Sequence, residues 1–140
     1  MGKINYARVL LGGLLAGLII NISEYILNEP ILGTDVKAAM ESLGRPPIAG
    51  GDITWFVILG FVLGILCVWV YAAIRPRFNP GPKTAVCAGI TVWALAYAYP
   101  SIGFGVIGLF PAKLIWWGVI WGLFELPIAT LIGAWQYKEA

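Results

Sequence analysis

Four stretches of the chain stay apolar long enough to cross a bilayer, and the charges collect between them. A hydrocarbon core about 30 Å thick needs about 20 apolar residues in a helix. The pattern predicts an all-α, four-helix transmembrane bundle in a single integral membrane domain over 1–140, with spans at approximately 4–27, 53–75, 83–100 and 112–137. Pro100 is expected to bend or end the third helix. The Gly-rich apolar run 101–110 is too short to span again, and reads as a kinked continuation or a short interfacial helix. Pro111 suits the first turn of the fourth helix, where a missing N–H costs nothing.

Within the spans, small and polar residues recur at steps of three and four, which keeps them on one stripe of a helix. The first helix offers Gly13, Gly17, Asn21, Glu24 and Asn28. The second offers Gly60, Gly64, Cys67 and Tyr71, and the third Thr84, Cys87, Thr91, Ala94, Ala98 and Ser101. The fourth offers Gly118, Gly122, Glu125, Ala129 and Gly133. A mean step near 3.5 winds helices into a left-handed bundle. Small residues matter here because lipid exerts no hydrophobic force between helices, so close backbone contact drives association. Gly13, Gly17, Gly60, Gly64, Gly118 and Gly122, in GxxxG spacing, are therefore the expected packing positions. Gly60-Phe-Val-Leu-Gly64-Ile can also be laid on Gly118-Val-Ile-Trp-Gly122-Leu, the signature expected if two related hairpins make up the chain.

The one sizeable loop, 28–52, contains a predicted short helix over 35–43, with Thr34 or Asp35 as N-cap and Gly44 as its stop. Val36, Ala39, Met40 and Leu43 would share one face and lie on the membrane surface or over the bundle. Orientation follows from Lys and Arg in the loops. Lys3, Arg8, Arg75, Arg77, Lys83 and Lys138 fall on one side, against Lys37, Arg45 and Lys113 on the other, which places both termini in the cytoplasm. Lys3 and Arg8 precede an apolar run as in a signal peptide. That run continues to Leu27 without an A-x-A cleavage site and is read as a retained first span.

Composition agrees: 60% hydrophobic and 11% charged residues, with a mean hydropathy of +0.86, against about 45–50% and about 25% in soluble domains. The net charge of +2 is too small and scattered for a nucleic-acid surface. Without histidine the chain lacks the commonest metal ligand and general base. Cys67 and Cys87 form no CxxC, so no metal site, cofactor or thiol redox pair is expected.

Glu125 is the sharpest chemical clue. It lies about 20 Å along the fourth helix from Ala112 at 1.5 Å per residue. A carboxyl at that depth must face the bundle interior, a partner or water. Pro127 frees the carbonyl of Leu123, which Glu125 could meet; Thr91 and Tyr97 are the other candidates. Glu24 and Asn21 sit one turn apart near the outer end of the first span, with Lys113 or Arg45 as possible partners for Glu24. The rise arithmetic separates Glu24 from Glu125 by about 10–15 Å in depth, so the two are not read as a catalytic pair. Arg75, Arg77 and Lys83 suit anionic headgroups or a docking partner.

The stretches Gly12-Gly-Leu-Leu-Ala-Gly17, Ile74-Arg-Pro-Arg-Phe78 with Gly81-Pro-Lys-Thr-Ala85, Gly108-Leu-Phe-Pro-Ala-Lys-Leu114 and Gly122-Leu-Phe-Glu-Leu-Pro127 resemble an uncharacterised family of small bacterial four-span proteins. That resemblance implies a bacterial inner membrane. The reading the sequence favours is a non-enzymatic accessory or structural subunit of a larger membrane complex, with lipids and other subunits as partners. The alternative is a small oligomeric transporter or a carrier of a lipid- or quinone-type ligand working through Glu125. Since no nucleophile–base pair can be assembled, an enzyme is the reading it favours least.

Overall fold

A computed structural model describes residues 2–140. Helix α1 (Tyr6–Ile26) is capped by Asn5, whose side chain accepts a hydrogen bond from the Arg8 backbone N–H at 3.2 Å. It runs on through a π-helical turn, Leu27–Ile31, that contains Pro30. A short α2 (Gly33–Ser42) follows. Next comes α3 (Gly50–Phe78), whose Asp52 caps its own helix by accepting from the Ala49 N–H at 3.1 Å. Helix α4 (Pro82–Trp93) passes through a second π-helical turn, Ala94–Ala98, into α5 (Tyr99–Ile107), and α6 (Ala112–Trp135) completes the chain. Four of the resulting helices are long and apolar enough to cross a membrane: Tyr6–Ile31, Gly50–Phe78, Pro82–Ile107 and Ala112–Trp135.

The third span therefore extends beyond its predicted end near 100. Pro100 breaks the α-helical ladder, but the π turn just before it absorbs the lost bond and lets the helix continue to Ile107. Gly108, at φ +66°, then ends α5 in the left-handed conformation that costs glycine nothing. The short helix also starts earlier than predicted. Leu32, not Thr34 or Asp35, is its N-cap, because the π turn of the first span feeds directly into it. Gly44 ends it in the left-handed conformation, as expected.

Successive spans run antiparallel, and each packs beside the next, with α6 returning to α1. Both termini and the α3–α4 turn meet at one end. There the Asn5 N–H donates to the Tyr137 hydroxyl at 3.2 Å, the Ala140 N–H to the Lys3 carbonyl at 3.2 Å and the Gly81 N–H to the Tyr71 hydroxyl at 3.3 Å.

Small side chains fill much of the centre: Ala16, Cys67, Ala72, Ala85, Ala88 and Ala129, interleaved with Ile20, Val68 and Leu126. Large apolar side chains such as Leu10, Leu18, Trp55, Phe56, Leu95 and Phe124 point outward. Backbone meets backbone where glycines face one another. Gly64 of α3 lies against Gly13 and Gly17 of α1, and Gly133 of α6 against Gly12 of α1. A methyl group on Gly89 of α4 would come 2.6 Å from the Cα of Pro127 on α6.

Two packing expectations are corrected. Gly118 has no atom within 4 Å of where its Cβ would stand, so it separates nothing in this bundle. On the third span the stripe is rotated. Thr84 of the expected stripe is buried, but Thr91 is exposed and turns its hydroxyl back to the Cys87 carbonyl at 2.8 Å, while Ala85, Ala88, Gly89 and Val92 beside it are buried. Two stripes of small residues share that helix, and spacing alone does not rank them.

Candidate functional site

Glu125 is 5% exposed, and its surroundings explain how a carboxyl tolerates that burial. The Ser23 hydroxyl of α1 donates to Glu125 Oε2 at 2.6 Å. The Tyr97 hydroxyl, from the π turn between α4 and α5, lies 2.9 Å from Glu125 Oε1. The same hydroxyl lies 3.2 Å from Glu24 Oε1. Around this line, Trp121 Nε1 donates to the Ser23 hydroxyl at 2.8 Å, and Asn28 Nδ2 to Glu24 Oε2 at 2.9 Å. Six side chains from α1, the two π turns and α6 thus form one hydrogen-bonded chain. Leaving a buried partner unsatisfied costs about 1–3 kcal/mol, so each link constrains the others.

The local backbone makes this arrangement possible. Each π turn contributes one member, Asn28 or Tyr97; such turns rotate the following residues out of the α-helical register. Gly122 of α6 clears space for the Tyr97 ring, whose nearest atom would stand 2.8 Å from an added methyl. Gly60 does the same for Asn21, whose side chain donates to the Val57 carbonyl at 3.2 Å. Gly122, expected as a backbone contact, instead accommodates a side chain, while Gly60 does both, its carbonyl lying 3.3 Å from where a Cβ on Gly17 would stand.

Tyr97 owns one hydroxyl proton and has two carboxyl neighbours. It can donate to one of them, and the other contact is a hydrogen bond only when that carboxyl carries a proton and donates to the Tyr97 oxygen.

A lateral groove of about 480 Å³ opens beside this network between α1 and α6. Ile19, Trp117, Ile120, Phe124 and Ile128 wall it, and Ser23, Trp121 and Glu125 border it. It opens on the flank of the bundle, where the large apolar side chains of α6 point outward.

Several sequence expectations change here. Glu24 and Glu125 share one hydroxyl, although their positions along their helices differ; rise arithmetic ignores helix tilt and the reach of Glu and Tyr side chains. Glu125 bonds to Tyr97 and Ser23, not to the Leu123 carbonyl or Thr91. Lys113 pairs with Asp35 of α2 at 3.1 Å rather than with Glu24. Asn21 belongs to the α1–α3 contact and not to the network. Ser23 and Trp121 were not singled out. The available signal was the second stripe of α1, Gly12, Ala16, Ile20 and Ser23, at steps of four, four and three.

The basic end is also less open than its charges imply. Arg75 is held by Glu139 at 3.1 Å, with its guanidinium 5.6 Å above the Tyr137 ring, while Arg77 and Lys83 are exposed. Cys67 is buried and Cys87 half-buried, both unpaired. Among the described residues, no three His, Cys, Asp or Glu side chains converge as metal ligands would.

Fold and composition together define the class: a multi-pass helical membrane protein. Compared with known proteins, the chain matches no family model, no curated protein and no solved structure.

Proposed function

We propose that this chain is a non-enzymatic membrane carrier that takes an amphipathic ligand from the lipid phase into the groove between α1 and α6, with the polar end of the ligand at Glu125. The observation that carries this reading is the juxtaposition itself. A buried carboxyl with a full set of hydrogen-bond partners borders an apolar, laterally open groove. Polar groups placed inside a membrane are expensive and mark ligand or proton paths. Ligand sites combine apolar walls with a few convergent polar groups, and this groove has that composition.

In this reading the bundle is left-handed and sits in a bacterial inner membrane with both termini cytoplasmic. Support comes from the near-3.5 spacing of small residues and from the gathering of the termini and the α3–α4 turn, which carry most of the Lys and Arg, at one end. Helix α2 lies at the opposite interface. So small a bundle favours a homo-oligomer, with the groove of each copy left facing lipid.

A second reading, an accessory subunit of a larger complex, is favoured by the third span. Far fewer of its residues are buried than in the other spans, and Leu95, Tyr99, Ile102, Val106 and Ile107 are all exposed. Native mass spectrometry of protein extracted in mild detergent separates the readings. The carrier reading expects a retained small amphiphile, depleted by Glu125→Gln and by the groove-filling Ile128→Trp. Equal occupancy in all three proteins, or a stoichiometric complex with other polypeptides and no small ligand, would overturn it.

A further inference from the structure

We propose that the ligand of this groove is a lipophilic cation, which exchanges with a proton at Glu125; the proposal rests on the carrier reading. Three observations point to this chemistry.

The first is charge. Glu125 and Glu24 face one another across Tyr97, and neither has a cationic partner among the described residues. The ion pairs described lie elsewhere, Arg75 with Glu139 and Lys113 with Asp35. An occupant of the adjoining groove meets uncompensated negative charge.

The second is the supply of donors. The Ser23 hydroxyl is spent on Glu125, the Trp121 N–H on Ser23 and the Tyr97 hydroxyl on the carboxyl pair. Asn28 is spent on Glu24. A quinone or ester carbonyl needs a donor and finds none free. A cation needs acceptors and negative charge, which the site has.

The third is the wall. Trp117, Trp121 and Phe124 line the groove with aromatic surface, and the remaining wall is isoleucine. Aromatic faces attract cations, most strongly where water is excluded. The same surface accommodates the apolar substituents that let such a cation dissolve in lipid.

Cation and proton are then alternative occupants. When the cation arrives, the O–H bond of a protonated carboxyl in the pair breaks and its proton leaves to bulk water, so the charge of the site is conserved. The groups that face Glu125 are Glu24 and Ser23 of α1, Tyr97 of the π turn, Trp121 of α6 and the buried Cys67 of α3. Of these, Glu125 is the group that borders the groove and exchanges its proton for the cation, so lowering the pH opposes the exchange and weakens cation binding.

The test uses full-length protein in detergent, titrated calorimetrically with tetraphenylphosphonium, with tetraphenylborate (nearly the same shape, opposite charge) and with a short-chain neutral quinone. Tetraphenylphosphonium is expected to bind with proton release, more weakly at lower pH, and about tenfold or more weaker in Glu125→Gln, the size of losing one partly desolvated charge pair. Tetraphenylborate is expected not to bind. Ile128→Trp, on the outward wall, is expected to weaken the cation without altering thermal stability, which separates a blocked groove from a misfolded variant. Equal binding of the two ions, or cation binding indifferent to Glu125→Gln, overturns the proposal. If only the quinone binds in a Glu125-dependent manner, the carrier reading stands and the cation assignment falls. If no probe depends on Glu125, both fall.

Discussion

The two ends of the bundle are built from the same small-residue alphabet and use it differently. Toward the termini, Gly12, Gly13 and Gly17 of α1 let the backbones of α3 and α6 come into direct contact. Toward the other end, Gly60 and Gly122 admit side chains, Asn21 in one case and the Tyr97 ring in the other. The first arrangement gains dispersion contact and leaves no room for chemistry. The second places side chains at the helix contacts and engages them in hydrogen bonds. A GxxxG pattern thus specifies that something comes close, and its position along the span decides whether that is a backbone or a functional side chain.

This contrast can be broken by substitution. The largest effect is expected at Gly64, where any side chain meets the α1 backbone. Gly64→Val should destabilise the bundle by about 3 kcal/mol or more, because backbone cannot move aside as a rotamer can. Thermal unfolding in detergent measures this, and an unchanged midpoint would contradict the close contact. Gly122→Ala should be milder, about 1–2 kcal/mol, since the Tyr97 ring can tilt. Its signature is loss of Glu125-dependent ligand binding out of proportion to the loss of stability. Gly118→Ala should be smallest, neutral or stabilising by up to about 1 kcal/mol, because alanine favours the helix and nothing stands in its way. A destabilised Gly118→Ala would reveal a neighbour that the single chain does not contain, such as a second copy.

How much of this was legible beforehand follows from what periodicity records. The four spans were visible because each is a continuous apolar run, and the faces of α1, α3 and α6 because glycine spacing marked them. The third span is the least legible. Of the two outcomes open at Pro100, a bend or an end, the helix takes the first and continues to Ile107 through a π turn that has no sequence signal of its own. The stripe through Thr91 shares its helix with that of Ala85, Ala88 and Gly89, which spacing alone does not rank; the Thr91 hydroxyl is satisfied locally by the Cys87 carbonyl. The site was half visible. Glu125, Glu24 and Tyr97 stood out as polar groups in apolar runs, whereas Ser23 and Trp121 did not, since serine and tryptophan are ordinary in membrane helices. The link between the glutamates was missed because depth was counted along straight helices, and the reach of three long side chains was not. The proposed duplication also meets a difference: Gly60 abuts Asn21, whereas its counterpart Gly118 abuts nothing.

Tyr97 and Glu125 act as one unit across the contact between the Ala94–Ala98 turn and α6. A double-mutant cycle of Tyr97→Phe and Glu125→Gln, read by chemical unfolding in detergent, tests that most directly. Removal of either partner should make removal of the other cheaper, with a coupling of about 1 kcal/mol. Strictly additive effects would mean that the hydroxyl and the carboxyl do not share a proton, and the site as described would not exist.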